Sequence, residues 1–234
     1  MTELVQYTDR ETHAIITLNN GKVNAISHEV IEALNSHLDR AEQDQKVVVI
    51  TGQPGILSGG YDLKSMTASP ASALELVTKG SQLALRMLSF PLPIIIACPG
   101  HAIAKGAFLL LAADYRLGTE GPFKIGLNEV QIGMTMHEAG IEIAKSRLSP
   151  VFLQRSVNNA EIYDPETAIQ AGFLDKIVPA EHLLPTAEKI AQMFTQLNLK
   201  AHAATKVKVR REALAALEKA IQTDLEQGLT PPSK

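Results

Sequence analysis

Apolar residues along this 234-residue chain fall into two patterns, short solid runs and stripes at helical spacing. Val47-Val48-Val49-Ile50-Thr51 is apolar almost without interruption, as expected of a strand buried on both faces in a parallel sheet. Ile94-Ile95-Ile96, just after Pro93, reads the same way, and His13–Leu18 is a strand closed by the turn Asn19-Asn20-Gly21. Between these runs come the stripes. Ser27 stands as N-cap to a helix with Val30, Ile31, Leu34, Leu38 and Ala41 on one face. A second helix is expected over 73–88, and a third over 106–113 that is apolar all round and therefore buried. Short strands are expected at 114–117 and 123–125. Asp164 and Pro165 open a short helix to Ala171. Helices over 183–197 and 201–227 follow, the second rich in Ala, Lys, Glu and Leu, and residues 228–234 are expected to fray. Strands alternating with helices define an α/β class with mainly parallel pairing.

Composition narrows the function classes. Hydrophobic residues make up 45% and charged residues 20%, which suits one globular core. A net charge of −3 with no basic run, together with the absence of Trp, gives nucleic acid nothing to bind. Cys98 is the only cysteine and lies in an apolar run, so it reads as a core thiol. The seven histidines show no metal-ligand spacing, and no metal is expected. The N-terminal residues lack a basic region followed by an apolar stretch, and Arg86, Pro91, Pro93 and Lys105 break the most apolar segments. A reducing cytosol, without a membrane partner, is the expected location. Neither a phosphate-binding P-loop nor a strand-linked GxGxxG is present, and Ser58 has no nucleophile-elbow context.

Three segments carry the chemistry: Leu57-Ser58-Gly59-Gly60-Tyr61-Asp62-Leu63, Gly100-His101-Ala102-Ile103-Ala104-Lys105-Gly106, and Ile125-Gly126-Leu127-Asn128-Glu129-Val130. Two glycine-bearing turns can aim two backbone N–H groups at one carbonyl oxygen, with a carboxylate beside them to move a proton. Their order, spacing and flanking residues resemble the crotonase (enoyl-CoA hydratase/isomerase) superfamily, from about Thr12 to the C-terminal helices.

The resemblance implies a spiral of ββα turns over 1–182 and a helical region over 183–234 that assembles a homotrimer or a dimer of trimers. It also implies an acyl-CoA substrate, with coenzyme A as part of that substrate and no separate cofactor. In the family register, Tyr61, between Gly60 and Asp62, supplies one oxyanion N–H. Lys105, before Gly106, supplies the other where relatives carry glycine. Phe108 stands where hydratases carry a glutamate. Glu129 matches the catalytic glutamate of Δ3,Δ2-enoyl-CoA isomerases and also the second glutamate position of hydratases, and flanking Leu127, Val130 and Ile132 are expected to desolvate it. His137 and Glu138 follow at the acyl side. Lys22-Val23-Asn24-Ala25-Ile26 resembles the segment that borders coenzyme A, so Lys22, Asn24 and Ala25 are candidate contacts, with Lys64 a second cation for a phosphate. Lys206 aligns with a lysine that in a trimer reaches a neighbour's ligand. A single glutamate favours isomerisation of 3-enoyl-CoA to 2-enoyl-CoA in fatty-acid oxidation. Hydration of 2-enoyl-CoA, other superfamily chemistry through His137 or Glu138, and a non-catalytic acyl-CoA-binding trimer are the alternatives.

Overall fold

The apolar runs near 47 and 94 become neighbouring strands at the centre of a computed structural model, which describes residues 3–230. In chain order the first half holds β1 (Val5–Asp9), β2 (His13–Leu18), α1 (His28–Gln43), β3 (Val47–Thr51), β4 (Gly55–Ser58), α2 (Leu63–Ala68), α3 (Pro70–Ser89), β5 (Ile94–Cys98), β6 (Gly100–Ile103) and α4 (Lys105–Ala112). The second half holds β7 (Tyr115–Thr119), β8 (Ile125–Gly126), α5 (Glu138–Arg147), α6 (Pro150–Val157), β9 (Ile162–Tyr163), α7 (Pro165–Ala171), β10 (Lys176–Val178), α8 (Leu183–Thr195), α9 (Leu199–Val209) and α10 (Arg211–Gln227).

Two sheets form. The larger has the order β1-β2-β3-β5-β7-β10, parallel except for the antiparallel edge strand β1. The smaller runs β4-β6-β8-β9, parallel except for β9. Three times the chain places one strand in the large sheet and the next in the small one, as β3–β4, β5–β6 and β7–β8. The helices α3 and α4 return it after the first two pairs. This is the α/β spiral architecture that the resemblance implies.

The solid apolar runs are explained by packing on both faces. Val48, Ile50, Ile94, Ile96 and Cys98 point into the main core with α1, α3 and α4. Val47, Val49, Ile95 and Ala97 point the other way, onto Leu183, Ala187 and Ala191 of α8. Alternate side chains of a strand face opposite sides, so only a fully covered sheet can use such a run. Burial also pushes the Cys98 thiol up to about 12, as befits a core thiol.

Several expected elements differ in detail. The helix expected over 73–88 starts at Pro70, with Ser69 as its N-cap. β8 begins only at Ile125. The helix expected over 201–227 is two, broken at Arg210, whose guanidinium reaches the Leu88 carbonyl (2.8 Å) and Asp114 (2.9 Å). The pattern does not predict β1, β6, β9, β10, α5 or α6. Residues 231–234 of the expected frayed tail, and Met1-Thr2, lie outside the described residues. Among the described residues no helix is long and apolar enough to cross a membrane.

Candidate active site

The first glycine turn follows β4 and is pinned to the segment before α1. Ile26 N–H donates to the Gly60 carbonyl (2.8 Å) and Asp62 N–H donates to the Ile26 carbonyl (2.9 Å), a parallel bridge between Ile26 and Tyr61. Successive amides of an extended chain point to opposite sides. The Tyr61 N–H therefore faces away from Ile26, and it has no acceptor among the described residues. Gly60 N–H donates to the Ser58 hydroxyl (3.1 Å), so Ser58 shapes the turn. Asp62 caps α2, accepting from both the amide and the hydroxyl of Ser65 (2.9 Å each).

The second turn enters α4, whose first N–H groups lack intrahelical acceptors. Ala104 N–H is engaged by the Gly126 carbonyl (3.0 Å), which leaves Lys105 N–H as the first open donor. Ala104 holds φ 51° and ψ −118°, a region normally left to glycine, to aim that donor. The two turns touch. A methyl built on Gly60, itself at φ +116°, would lie 3.2 Å from Ala104 Cβ and 3.9 Å from the Lys105 amide nitrogen. Gly106 packs directly against the Ser58 carbonyl.

Glu129 follows β8 and opens a 3-10 turn, its carbonyl accepting from Met134 N–H (2.9 Å). Its carboxylate is buried, and Oε2 has no hydrogen-bond partner among the described residues. Burial pushes this carboxyl up to about 7. The cause differs in part from the expected one. Leu127 is buried, but Val130 and Ile132 are exposed, so the desolvation comes from the inward turn of residue 129 rather than from those two neighbours. Burial holds the Tyr61 hydroxyl protonated, and the Glu129 charge adds to that effect.

Around these groups the site is lined by large side chains. Phe108 is buried and meets the His137 ring edge-on at 5.7 Å between centroids. The Tyr61 ring lies against Gly80 of α3, and its hydroxyl donates to the Val77 carbonyl at 3.5 Å. The Lys105 side chain finds room by running inward, where its ammonium donates to the Gly80 carbonyl, and burial alone pulls that amine down to about 7. Sequence reasoning missed Gly80 and Asp224. A glycine within a helix is a signal for close approach, and Gly80 qualifies. Asp224 gave no signal. From α10 it accepts the Glu138 (2.8 Å) and Ala139 (2.9 Å) amides, capping α5 just behind His137.

The segment 22–26 borders the first turn through Gly59 N–H, which donates to the Val23 carbonyl (2.8 Å). Lys22 and Lys64 are exposed there. The Asn24 side chain is buried and committed to backbone: it donates to the Leu18 (3.0 Å) and Leu57 (2.9 Å) carbonyls and accepts from Asn20 N–H (2.7 Å). The partly buried Ala25 offers its carbonyl to Asn20 Nδ2 (2.7 Å). Lys206 is not turned toward a neighbour. Its ammonium is buried on the Phe90 and Leu92 carbonyls and on Asp114 (2.6 Å). A separate cleft of about 530 Å³, lined by Arg10, His13, Glu188 and Lys189 among others, contains none of the groups above.

Comparison with known proteins identifies the family. Residues 8–231 match the family model described as enoyl-CoA hydratase/isomerase. A crystal structure of an enoyl-CoA hydratase/isomerase family protein from Pseudomonas syringae is 59% identical, with a TM-score of 0.95 over 97% of this chain and 98% of that one. The apo structure of an enoyl-CoA isomerase from Mycobacterium tuberculosis is 41% identical, with a TM-score of 0.92 over 97% and 100%. A probable enoyl-CoA hydratase of Bacillus subtilis is 37% identical over 133 residues, 55% of this chain and 51% of that protein.

Proposed function

The chain belongs to the enoyl-CoA hydratase/isomerase family, enzymes of the crotonase superfamily, and on that premise we propose that it converts 3-enoyl-CoA to 2-enoyl-CoA. One observation carries this reading: a buried Glu129 carboxylate whose Oε2 has no hydrogen-bond partner among the described residues, in a chain that leaves the Tyr61 and Lys105 N–H groups open and, in the family register, has Phe108 in place of the hydratases' other glutamate.

The thioester oxygen lies between the Tyr61 and Lys105 amides. Ionised Glu129 takes a proton from C2, and the C2–H electron pair moves into the C1–C2 bond as charge builds on that oxygen. Two fixed donors stabilise this charge, and losing one typically lowers the rate by about 10²–10³. Glu129 then returns the proton at C4. The C3=C4 π pair forms the new C4–H bond, the enolate C1=C2 pair moves to form the C2=C3 double bond, and the charge on oxygen returns to restore the thioester carbonyl. One base serves both steps, so no separate cofactor is needed. Lys22 and Lys64 supply cations to the coenzyme A phosphates. By the same resemblance the assembly is a homotrimer or a dimer of trimers; a one-chain mass by light scattering would overturn that part.

The test pairs wild type and Glu129→Gln with a 3-enoyl-CoA and a 2-enoyl-CoA. Conjugated thioester appearing from the first substrate, and lost in the variant, supports the isomerase. Loss of conjugation from the second substrate instead supports hydration, the second reading, which the Bacillus relative favours. Silence on both overturns the reading.

A further inference from the structure

The mechanism above uses the Lys105 backbone and leaves its side chain without a task. That side chain is 1% exposed, and its ammonium has the Gly80 carbonyl as its one hydrogen-bond partner among the described residues. It forms no ion pair with any described carboxylate. An ammonium carries three donors, so two stay open in the interior. Burying such a group without a counter-ion is unfavourable, and a methionine of the same reach would fill the space without that penalty.

A second polar group lies at the same place. The Tyr61 hydroxyl rests on Gly80, and Lys105 Nζ lies 5.8 Å from the Tyr61 ring centre. Two polar tips, the Lys105 ammonium and the Tyr61 hydroxyl, thus meet at Gly80 of α3.

Reach identifies the ligand. The thioester oxygen is held at the amide of residue 105 itself, and four methylenes lead from that residue's Cα to its ammonium. In a six-carbon dicarboxylic chain, four methylene positions lie between the thioester carbon and the distal carboxylate. An acyl chain running beside the lysine stem therefore ends at the ammonium.

We propose that the acyl pocket ends on Lys105 Nζ and the Tyr61 hydroxyl, and that it takes a CoA thioester bearing a distal carboxylate, with six carbons the matched length. The proposal rests on the acyl-CoA reading above and deepens it. The carboxylate supplies the missing counter-ion, and a neutral tail leaves the ammonium unpaired.

Calorimetric binding of adipoyl-CoA and hexanoyl-CoA tests this, because both are saturated, equal in length and differ only at the far end. Wild type is expected to bind adipoyl-CoA about tenfold more tightly, the effect of one charge-assisted contact. Lys105→Met keeps the stem and the amide and is expected to lose that preference; Tyr61→Phe is expected to reduce it several-fold. Equal or tighter binding of hexanoyl-CoA by wild type overturns the proposal, as does a preference that survives in both variants. Failure of the isomerase reading shows separately: 3-hexenoyl-CoA and its ω-carboxylated analogue are then both left unchanged while the adipoyl preference stands.

Discussion

A Cβ on Gly80 would lie 2.0 Å from the Tyr61 hydroxyl oxygen and 2.7 Å from ring carbon Cζ. The tyrosine therefore occupies the room that any side chain at position 80 would need, and α3 in turn fixes the turn that carries the first donor.

Gly80→Ala tests this relationship against helix propensity. Propensity alone would make alanine stabilising within α3. Here it has to displace a packed ring, and the expected outcome is destabilisation of about 1–3 kcal/mol. A loss of kcat accompanies it, because the Tyr61 amide shifts with its ring. Denaturant unfolding and steady-state kinetics of the one variant check both parts.

Ala104 holds a backbone conformation suited to glycine, and Gly60 faces it. Ala104→Gly is expected to raise stability by about 1 kcal/mol by releasing that strain. Gly60→Ala is expected to do the opposite and to abolish activity, since its methyl would press on Ala104 and its φ is +116°. Equal unfolding midpoints for Ala104→Gly and wild type would show that the turn stores no strain.

The Glu129 carboxyl, pushed up to about 7, sets a pH dependence for both rate and stability. The base works only when ionised, so kcat/KM is expected to rise through pH 7 and level above it. For stability the sign is reversed. Below about pH 4.5 the group is protonated in folded and unfolded chains alike and contributes nothing. As pH rises toward 7 the unfolded chain ionises first, which destabilises the fold, by up to about 3 kcal/mol above pH 7. Glu129→Gln is therefore expected to be more stable than wild type at pH 8 and similar to it at pH 4.5, read from urea midpoints at the two pH values.

Lys206 closes a buried cluster with Asp114, which also accepts from Arg210 and from Ile94 N–H. Lys206→Met is expected to lower stability by about 3 kcal/mol, because it strips one partner from a buried carboxylate. KM for an acyl-CoA should not change in the folded enzyme. A raised KM with unaltered stability would instead return Lys206 to the ligand.

Much of this molecule was legible because it depends on neighbours in the chain. His13–Leu18 and Val47–Thr51 are strands with the bounds their apolar runs suggest, and Asp164 caps a helix ending at Ala171 through its bond to Thr167 N–H (2.7 Å). The two glycine turns and Glu129 stand out because their spacing is itself the motif. α5 was missed for a local reason. Its buried face is Ala139, Gly140, Ile143 and Ala144, too small and mixed to make a stripe.

What the chain by itself determined was the class of fold, the three motif segments and the family they belong to, all read from residue types at short range. Only the tertiary structure decided which amides remain open, since Gly126 and Ile26 engage the neighbours of Lys105 and Tyr61 from other strands and loops. It also decided that Lys206 turns inward, that Arg210 breaks a helix of strong propensity, and that Asp224 caps α5 from 86 residues away. Each depends on desolvation and on hydrogen-bond partners distant in sequence, and pattern along a chain does not encode which partner arrives.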